Sequence, residues 1–338
     1  MRIGPDEVQQ EISVALRRRL PAADRAGSPQ AEEVRAVLAD LDLYRLELPD
    51  DVGGLQYGLS AGVAVCAELG RAGCADDYRA AAFLADLAAD AGSASGRELL
   101  RELAKEPPAV ALAGGVVAGA ESPTGVLLDG HATLAAADRA AHWIVLPARI
   151  GGTHRWTAVA AADHGVSVAA EVTLERAADR LGGHAVDALD RARVRQAAYL
   201  TGLAAGAHHL ALGYGRQRRQ FGEPVGERQA VAFALSREFA ELEAVRLLVY
   251  RAAWLADNDL PVRGAAAEAM AYAAEVTRRT VRLAVQVHGA YGLTQRASVS
   301  RYYLAAETET VRWGRPRELW REAAALRRAA GEPSPPPH

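Results

Sequence analysis

Three stretches in the second half of the chain, residues 191–219, 228–257 and 262–288, keep a helical apolar rhythm for about thirty residues each. In the second of them Leu235, Phe239, Leu242, Val245, Leu248, Ala252 and Leu255 recur at three- and four-residue steps and trace one face. Helices this long, joined by short breaks, bury such faces against one another, which predicts an antiparallel bundle. Asn258-Asp-Leu-Pro261 ends the second helix, because a proline just past the end cannot continue it. A last helix is expected over 316–330, followed by a disordered tail at Pro333-Ser-Pro-Pro-Pro337.

The first part of the chain is shorter in its rhythm. Residues 6–104 read mainly as helices, with apolar spacing at Val34, Leu38 and Leu41 and again at Leu84 and Leu87. Leu48-Pro-Asp-Asp-Val-Gly-Gly-Leu55 interrupts them with a loop. After Pro107-Pro108 the texture changes to short β-like pieces, Ala109–Leu112, Val126–Leu128, His142–Leu146, Trp156–Ala160 and Val166–Val168, separated by Gly and Asp-Gly turns. A chain of 338 residues exceeds the usual size of one core. The expected fold class is mainly α with a small middle β domain: an N-terminal helical domain over 1–106, a β domain over 107–188, a four-helix bundle over 189–330 and the tail over 331–338.

Composition narrows the function by exclusion. The formal charge is −3 and basic residues are not gathered on one segment, so no nucleic-acid or anionic-membrane partner is expected. Neither a signal-peptide core nor a run of about 20 apolar residues is present, and a cytoplasmic protein is expected. Cys66 and Cys74 lack a CxxC spacing, which favours reduced, packed thiols and no metal site.

Two segments rise above packing. Tyr214-Gly-Arg-Gln-Arg-Arg-Gln-Phe-Gly-Glu-Pro224 puts Arg218 one turn before a helix end, followed by Phe221 and a Gly222 able to reverse the chain. Gln286-Val-His-Gly-Ala-Tyr-Gly292 is a helix terminus with two glycines, where backbone N–H groups open to an anion. Guanidinium suits phosphate, since it is planar, always charged and forks onto two oxygens. Each segment alone also reads as a solvated basic turn or an ordinary helix cap.

Taken together, Tyr214-x-x-x-Arg218-x-x-Phe221-Gly222 with Gln229, then Gln286-x-x-Gly289-x-x-Gly292 with Arg301 beyond, resemble the C-terminal domain of acyl-CoA dehydrogenases. Leu48-Pro49 with Gly53-Gly54 resembles that family's Pro-Glu-x-x-Gly-Gly loop, Glu68-Leu-Gly-Arg71 its following helix, and Arg193 the arginine that opens its first bundle helix. The resemblance implies FAD as cofactor, with the flavin ring held mainly by the β domain of one subunit and the ADP half by the bundle of its neighbour. It makes Arg218, Phe221, Gln286 and Gly289 the expected cofactor-binding residues. It also implies α,β-dehydrogenation of an acyl-CoA substrate: a carboxylate removes the α-proton while a hydride leaves the β-carbon for the flavin.

The chain departs from this pattern at the reacting end. The family's commonest catalytic glutamate stands where this chain reads Arg312-Trp313-Gly314, and a second location for it corresponds to Ala192. Neither indole nor a methyl group accepts a proton, so no catalytic residue is assigned. Glu307, Glu309 and Asp190 lie nearby in sequence but read as solvated surface charges. The family's Thr-Glu-Pro-x-x-Gly-Ser-Asp run against the flavin is Ala111–Glu121 here, with no hydroxyl until Ser122. The family's strand over the flavin is likewise not evident in Ala132–Asp138. The paired His208-His209, and His288, read as packing or surface residues.

Keeping the ADP-side residues while lacking the base and the flavin contacts resembles the shortened, non-catalytic subunit of heteromeric bacterial acyl-CoA dehydrogenases, as in steroid side-chain degradation. That resemblance implies a full-length dehydrogenase partner in an α2β2 heterotetramer, with electron-transfer flavoprotein as a further candidate partner. Two other readings stay open: a homo-oligomeric flavoenzyme with a displaced base or other chemistry, and a non-enzymatic acyl-CoA-binding or scaffold protein. Steroid, fatty and polyketide-derived thioesters all fit what the residues say of the acyl group.

Overall fold

The computed structural model describes residues 6–20, 31–106, 109–123, 125–134, 141–168, 171–179, 181 and 188–330. The tail expected over 331–338 lies outside them, as do Pro107-Pro108 and residues 135–138. The chain is mainly helical with a small β region in the middle of the sequence.

Among the described residues five α-helices come first: α1 (Glu7–Arg19), α2 (Ala31–Asp40), α3 (Leu59–Ala72), α4 (Tyr78–Ala91) and α5 (Ala94–Lys105). Seven strands follow: β1 (Val110–Leu112), β2 (Val117–Ser122), β3 (Gly125–Thr133), β4 (Trp143–Ile150), β5 (Thr153–Ala160), β6 (Val166–Val168) and β7 (Glu171–Ala178). Then come α6 (Ala188–Gln217), a hairpin of β8 (Arg219–Gln220) and β9 (Glu223–Pro224), α7 (Gln229–Asp257), α8 (Arg263–His288), α9 (Val299–Glu309) and α10 (Pro316–Ala329). Two compact units arise: Met1–Val37 with Gly58–Ala75 and Asp190–His338, and Leu38–Tyr57 with Asp76–Leu189.

The second unit is organised by β4, whose apolar run Ile144-Val-Leu146 is buried, as suits a strand paired on both edges. β5 runs antiparallel along one edge for its whole length, and β1 and β2 lie end to end, parallel, along the other. β3, β7 and β6 extend the sheet by antiparallel pairing from β2. Leu128, Ile144, Leu146, Ile150, Val159 and Val172 fill its core.

In the first unit α8 packs against α7, α9 and α10. Half of its buried residues are alanine, Ala266, Ala267, Ala269, Ala273 and Ala274 among them, which lets neighbours come close. The Thr277 hydroxyl donates to the Leu200 carbonyl of α6 at 2.9 Å. The tightest approach joins α3 to α6. A Cβ on Gly202 would stand 1.9 Å from the Ala67 carbonyl oxygen, and one on Gly70 would stand 2.0 Å from that of Tyr199. Backbone meets backbone there, so only glycine fits.

Candidate cofactor site and the vacant base position

The basic run after Tyr214 is sorted by a turn. The helix expected to reach residue 219 ends at Gln217, so Arg218 is the first residue past it rather than one turn inside. The cause is the hairpin: Arg219 and Gln220 pair with Pro224 and Glu223 across Phe221-Gly222. Both turn residues have positive φ, 53° and 88°, the requirement of the tight turns that join short antiparallel strands. Glycine meets it without strain, and Phe221 adopts it with its ring 95% exposed. The Arg228 guanidinium lies 5.1 Å from that ring's centroid.

Arg218, Gln286 and Gly289, far apart in sequence, line one cavity of about 930 Å3 together with Tyr214, Gln220 and Tyr291. Phe221 stands outside this set, at the hairpin tip. α8 delivers the other side of the cavity: it ends at His288, and Gly289 (φ 62°) turns the chain while its N–H donates to the Gln286 carbonyl. Nothing lies within 4 Å of where a Gly289 Cβ would be, so this backbone is open to a ligand. The Tyr214 ring stacks on His288 at 4.4 Å and lies 6.3 Å from Tyr291. Because a carbonyl only accepts, the 2.7 Å contact to Ala284 fixes the His288 proton on Nδ1. Burial lowers the His288 pKa, partly opposed by that bond. Among the described residues the exposed Arg218 guanidinium has no hydrogen-bond or ion-pair partner. One free guanidinium, two carboxamides and an open glycine turn, against walls that include Val225, Val231 and Leu283, are a donor set that fits a pyrophosphate joined to an aromatic base. Arg301 is elsewhere, donating to the Ala72 carbonyl at 3.3 Å.

At the base position the sequence expectation needs correction. Trp313 is 6% exposed and Ala192 is buried. The buried Arg193 donates from Nε to the Trp313 carbonyl at 3.3 Å, and its Nη1 lies 3.4 Å from Asp190 and 3.1 Å from Glu322. Asp190 and Glu309, read from the sequence as surface charges, are both buried. Glu309 accepts from Gln196 at 2.8 Å and from Arg312 at 2.9 Å and 2.6 Å. The end of α9 brings Glu309 against Gln196 of α6, and the turn after it lays the Trp313 carbonyl on Arg193 beside Asp190, a tertiary effect that helical spacing cannot show. Glu307 is exposed, as expected. Burial pushes Glu322 up, but hydrogen bonds from Arg263 and Arg193 outweigh it and hold the carboxyl below its usual range. Asp190 and Glu309, the buried carboxylates here, are thus each paired with an arginine.

His208 contacts the Leu235 carbonyl at 2.9 Å, His209 is exposed, and Cys66 and Cys74 are buried. Among the described residues no helix is long and apolar enough to cross a membrane.

A helical bundle whose helix-end arginine and Gln-x-x-Gly turn line one cavity, in a chain that also carries a middle β region, is the architecture that the comparisons recognise. Residues 182–325 match the sequence model of the acyl-CoA dehydrogenase C-terminal domain. The chain carries an acyl-CoA dehydrogenase C-terminal domain and has the fold of that family. It is 37% identical over 128 residues to the caffeyl-CoA reductase-Etf complex subunit CarC of Acetobacterium woodii, covering 38% of this chain and 34% of that protein. A short-chain specific acyl-CoA dehydrogenase of Clostridium acetobutylicum is 37% identical over 117 residues, 35% of this chain and 31% of that one. The match thus spans about a third of the curated relatives. Among solved structures, a chain of the ChsE4-ChsE5 complex from Mycobacterium tuberculosis superposes with TM-score 0.83 at 25% identity, covering 99% of this chain and 100% of that chain. Butyryl-CoA dehydrogenase from Megasphaera elsdenii gives TM-score 0.83 at 18% identity over 96% and 99%.

Proposed function

We propose that this chain is the non-catalytic subunit of a heteromeric, FAD-dependent acyl-CoA dehydrogenase, supplying ADP-side contacts to a cofactor whose flavin ring belongs to its partner. The observation that carries this reading is Trp313, buried at the base position with its carbonyl tied to Arg193, while the carboxylates around it are held in ion pairs. A group that must lift a proton from a thioester needs a free lone pair at the reacting carbon. No side chain at Trp313 or Ala192 provides one. Ala111–Glu121 likewise carries no hydroxyl or amide side chain to meet a flavin edge.

The opposite half of the site keeps its chemistry. Arg218 would clamp the pyrophosphate, Gln286 and the Gly289 turn would orient it, and the Tyr214–His288 stack would hold the turn in place. Bound FAD supplies the hydride acceptor for acyl-CoA oxidation in this family. The structural match to a chain of a complex between two different proteins supports assembly with a dehydrogenase partner, and the matched Etf-complex subunit keeps an electron-transfer flavoprotein in view. A displaced base in a self-sufficient flavoenzyme is disfavoured by the pairing of Glu309 with Arg312 and Gln196.

The test is to purify the chain alone and co-expressed with a full-length acyl-CoA dehydrogenase encoded beside it. Alone it should be colourless and inactive; together the two should form a yellow complex that oxidises an acyl-CoA. Arg218→Ala should weaken FAD retention by the complex by about 1.5–3 kcal/mol, the scale of a charge-assisted hydrogen bond. Stoichiometric FAD and unaided turnover in the lone chain would overturn the reading.

A further inference from the structure

We infer that the first unit contains a second ligand site, walled by α1, α3, α6 and α7, that takes a small apolar monoanion such as an aromatic carboxylate. The cavity measures about 510 Å3, inside the range of about 300–1,000 Å3 usual for small-molecule sites. It shares no lining residue with the Arg218 cavity, and it does not rest on the FAD reading.

Its floor and its rim have different chemistry. Ala64 and Ala67 of α3, with Ala198, Gly202 and Ala205 of α6, make the floor. These side chains are small where the two backbones converge at Gly70 and Gly202, and they leave a shallow apolar bed between α1 and α7. Val14 and Val249 add apolar walls. Water on such a bed finds few partners, so an apolar body gains by displacing it.

The rim is charged. Buried Glu68 spends both oxygens on guanidiniums: Oε1 receives Arg17 at 2.8 Å and 2.9 Å, and Oε2 receives Arg71. Across the opening Arg246 lies 2.7 Å from Glu243. The hydrogen bonds to Glu68 and Glu243 raise the pKa values of Arg17 and Arg246. Burial raises that of the Tyr250 phenol, keeping it protonated as a donor. Among the lining residues three guanidiniums stand against two carboxylates, one positive charge in excess, with Asp6 the further carboxylate that acts on Tyr250. A ligand that matches both features has a flat apolar body and a single negative charge.

The probe is naphthalene-2-carboxylate, titrated calorimetrically into the full chain beside its neutral counterpart naphthalene-2-methanol. The carboxylate should bind at one saturable site, with the alcohol at least about tenfold weaker. Ala205→Leu, which fills the floor, should abolish binding. Arg17→Gln removes the excess charge and should weaken the carboxylate about fivefold, the scale of a partly exposed ion pair, without changing the alcohol. Arg218→Ala should leave both unchanged. If Ala205→Leu fails to fold, the Arg17→Gln and Arg218→Ala titrations still decide the matter. Absence of saturable binding, equal affinity of acid and alcohol, loss of binding in Arg218→Ala, or unaltered carboxylate binding in Arg17→Gln would each overturn the assignment.

Discussion

His288 sits where packing and charge meet. Its ring is stacked on Tyr214 and its Nδ1 proton is committed to Ala284, and burial lowers its pKa below the ordinary 6.5. Between the folded value and 6.5 the unfolded chain binds more protons than the folded one. The neutral ring's contribution to stability is thus complete above 6.5, declines as pH falls through that window, and levels off below the folded value. His288→Phe keeps a ring against Tyr214 and removes the titration. Its Tm should fall less than the wild type's between about pH 7 and about pH 5, and parallel curves would show that His288 does not titrate differently on folding. Trp313 gives a second residue-scale prediction. Trp313→Glu loses a buried indole and adds a carboxylate beside an Arg193 already flanked by Asp190 and Glu322, so stability should drop by about 3–5 kcal/mol. The lone chain should stay inactive, and a gain of acyl-CoA oxidation would contradict the non-catalytic reading. Spacing marks each of the two helix ends, but only the family resemblance put Arg218 together with Gln286 and Gly289, because whether two helix ends meet in one cavity is not a local property. The burial of Asp190 and Glu309 was not legible, because it depends on which helix the turn after α9 meets.

At the scale of elements, long helices were read well: the expected 228–257 and 262–288 stand at Gln229–Asp257 and Arg263–His288. Apolar spacing summed over many turns leaves little freedom, whereas faces fare worse than bounds. Phe239 lies on the stripe read as buried, yet it is more than half exposed while Leu235 and Leu242 are buried, because a long helix drifts off a single contact line. β2 and β7 were missed. In β2, Val-Ala-Gly-Ala-Glu-Ser has one β-branched residue, and Gly119 is there because a Cβ would stand 2.5 Å from Ile150; a neighbouring strand, not local propensity, selects it. The close crossing of α3 and α6 yields a sharper test. Gly202→Ala would drive a methyl to 1.9 Å from the Ala67 carbonyl, which the helices relieve only by separating. A loss of about 1–3 kcal/mol or more in thermal or urea unfolding is expected, and an unchanged Tm would mean that the crossing is looser than it stands.

For the molecule as a whole, the distribution of phenylalanine carries the argument. The sequence has four. Phe83 is fully buried, whereas Phe221, Phe233 and Phe239 are 95%, 65% and 56% exposed, all within the hairpin and the first turns of α7. Burying a phenylalanine side chain is worth about 1.5–3 kcal/mol, so three of them facing solvent leave that much unrealised in the lone chain. Composition could count these rings but could not say that they are exposed, since that depends on where α6 ends and the hairpin turns. Phe221 separates folding from assembly most cleanly. Its ring contributes little to the fold, and its φ of 53° suits aspartate better than phenylalanine. Phe221→Asp should therefore leave the Tm of the lone chain unchanged to within about 0.5 kcal/mol. If the proposed heteromer docks over the hairpin, it should cut co-purification with the proposed dehydrogenase partner at least about thirtyfold, the effect of losing an interface anchor of about 2 kcal/mol or more. If the complex forms undiminished, the partner does not dock over the hairpin, and an interface elsewhere on the bundle would have to account for the heteromer.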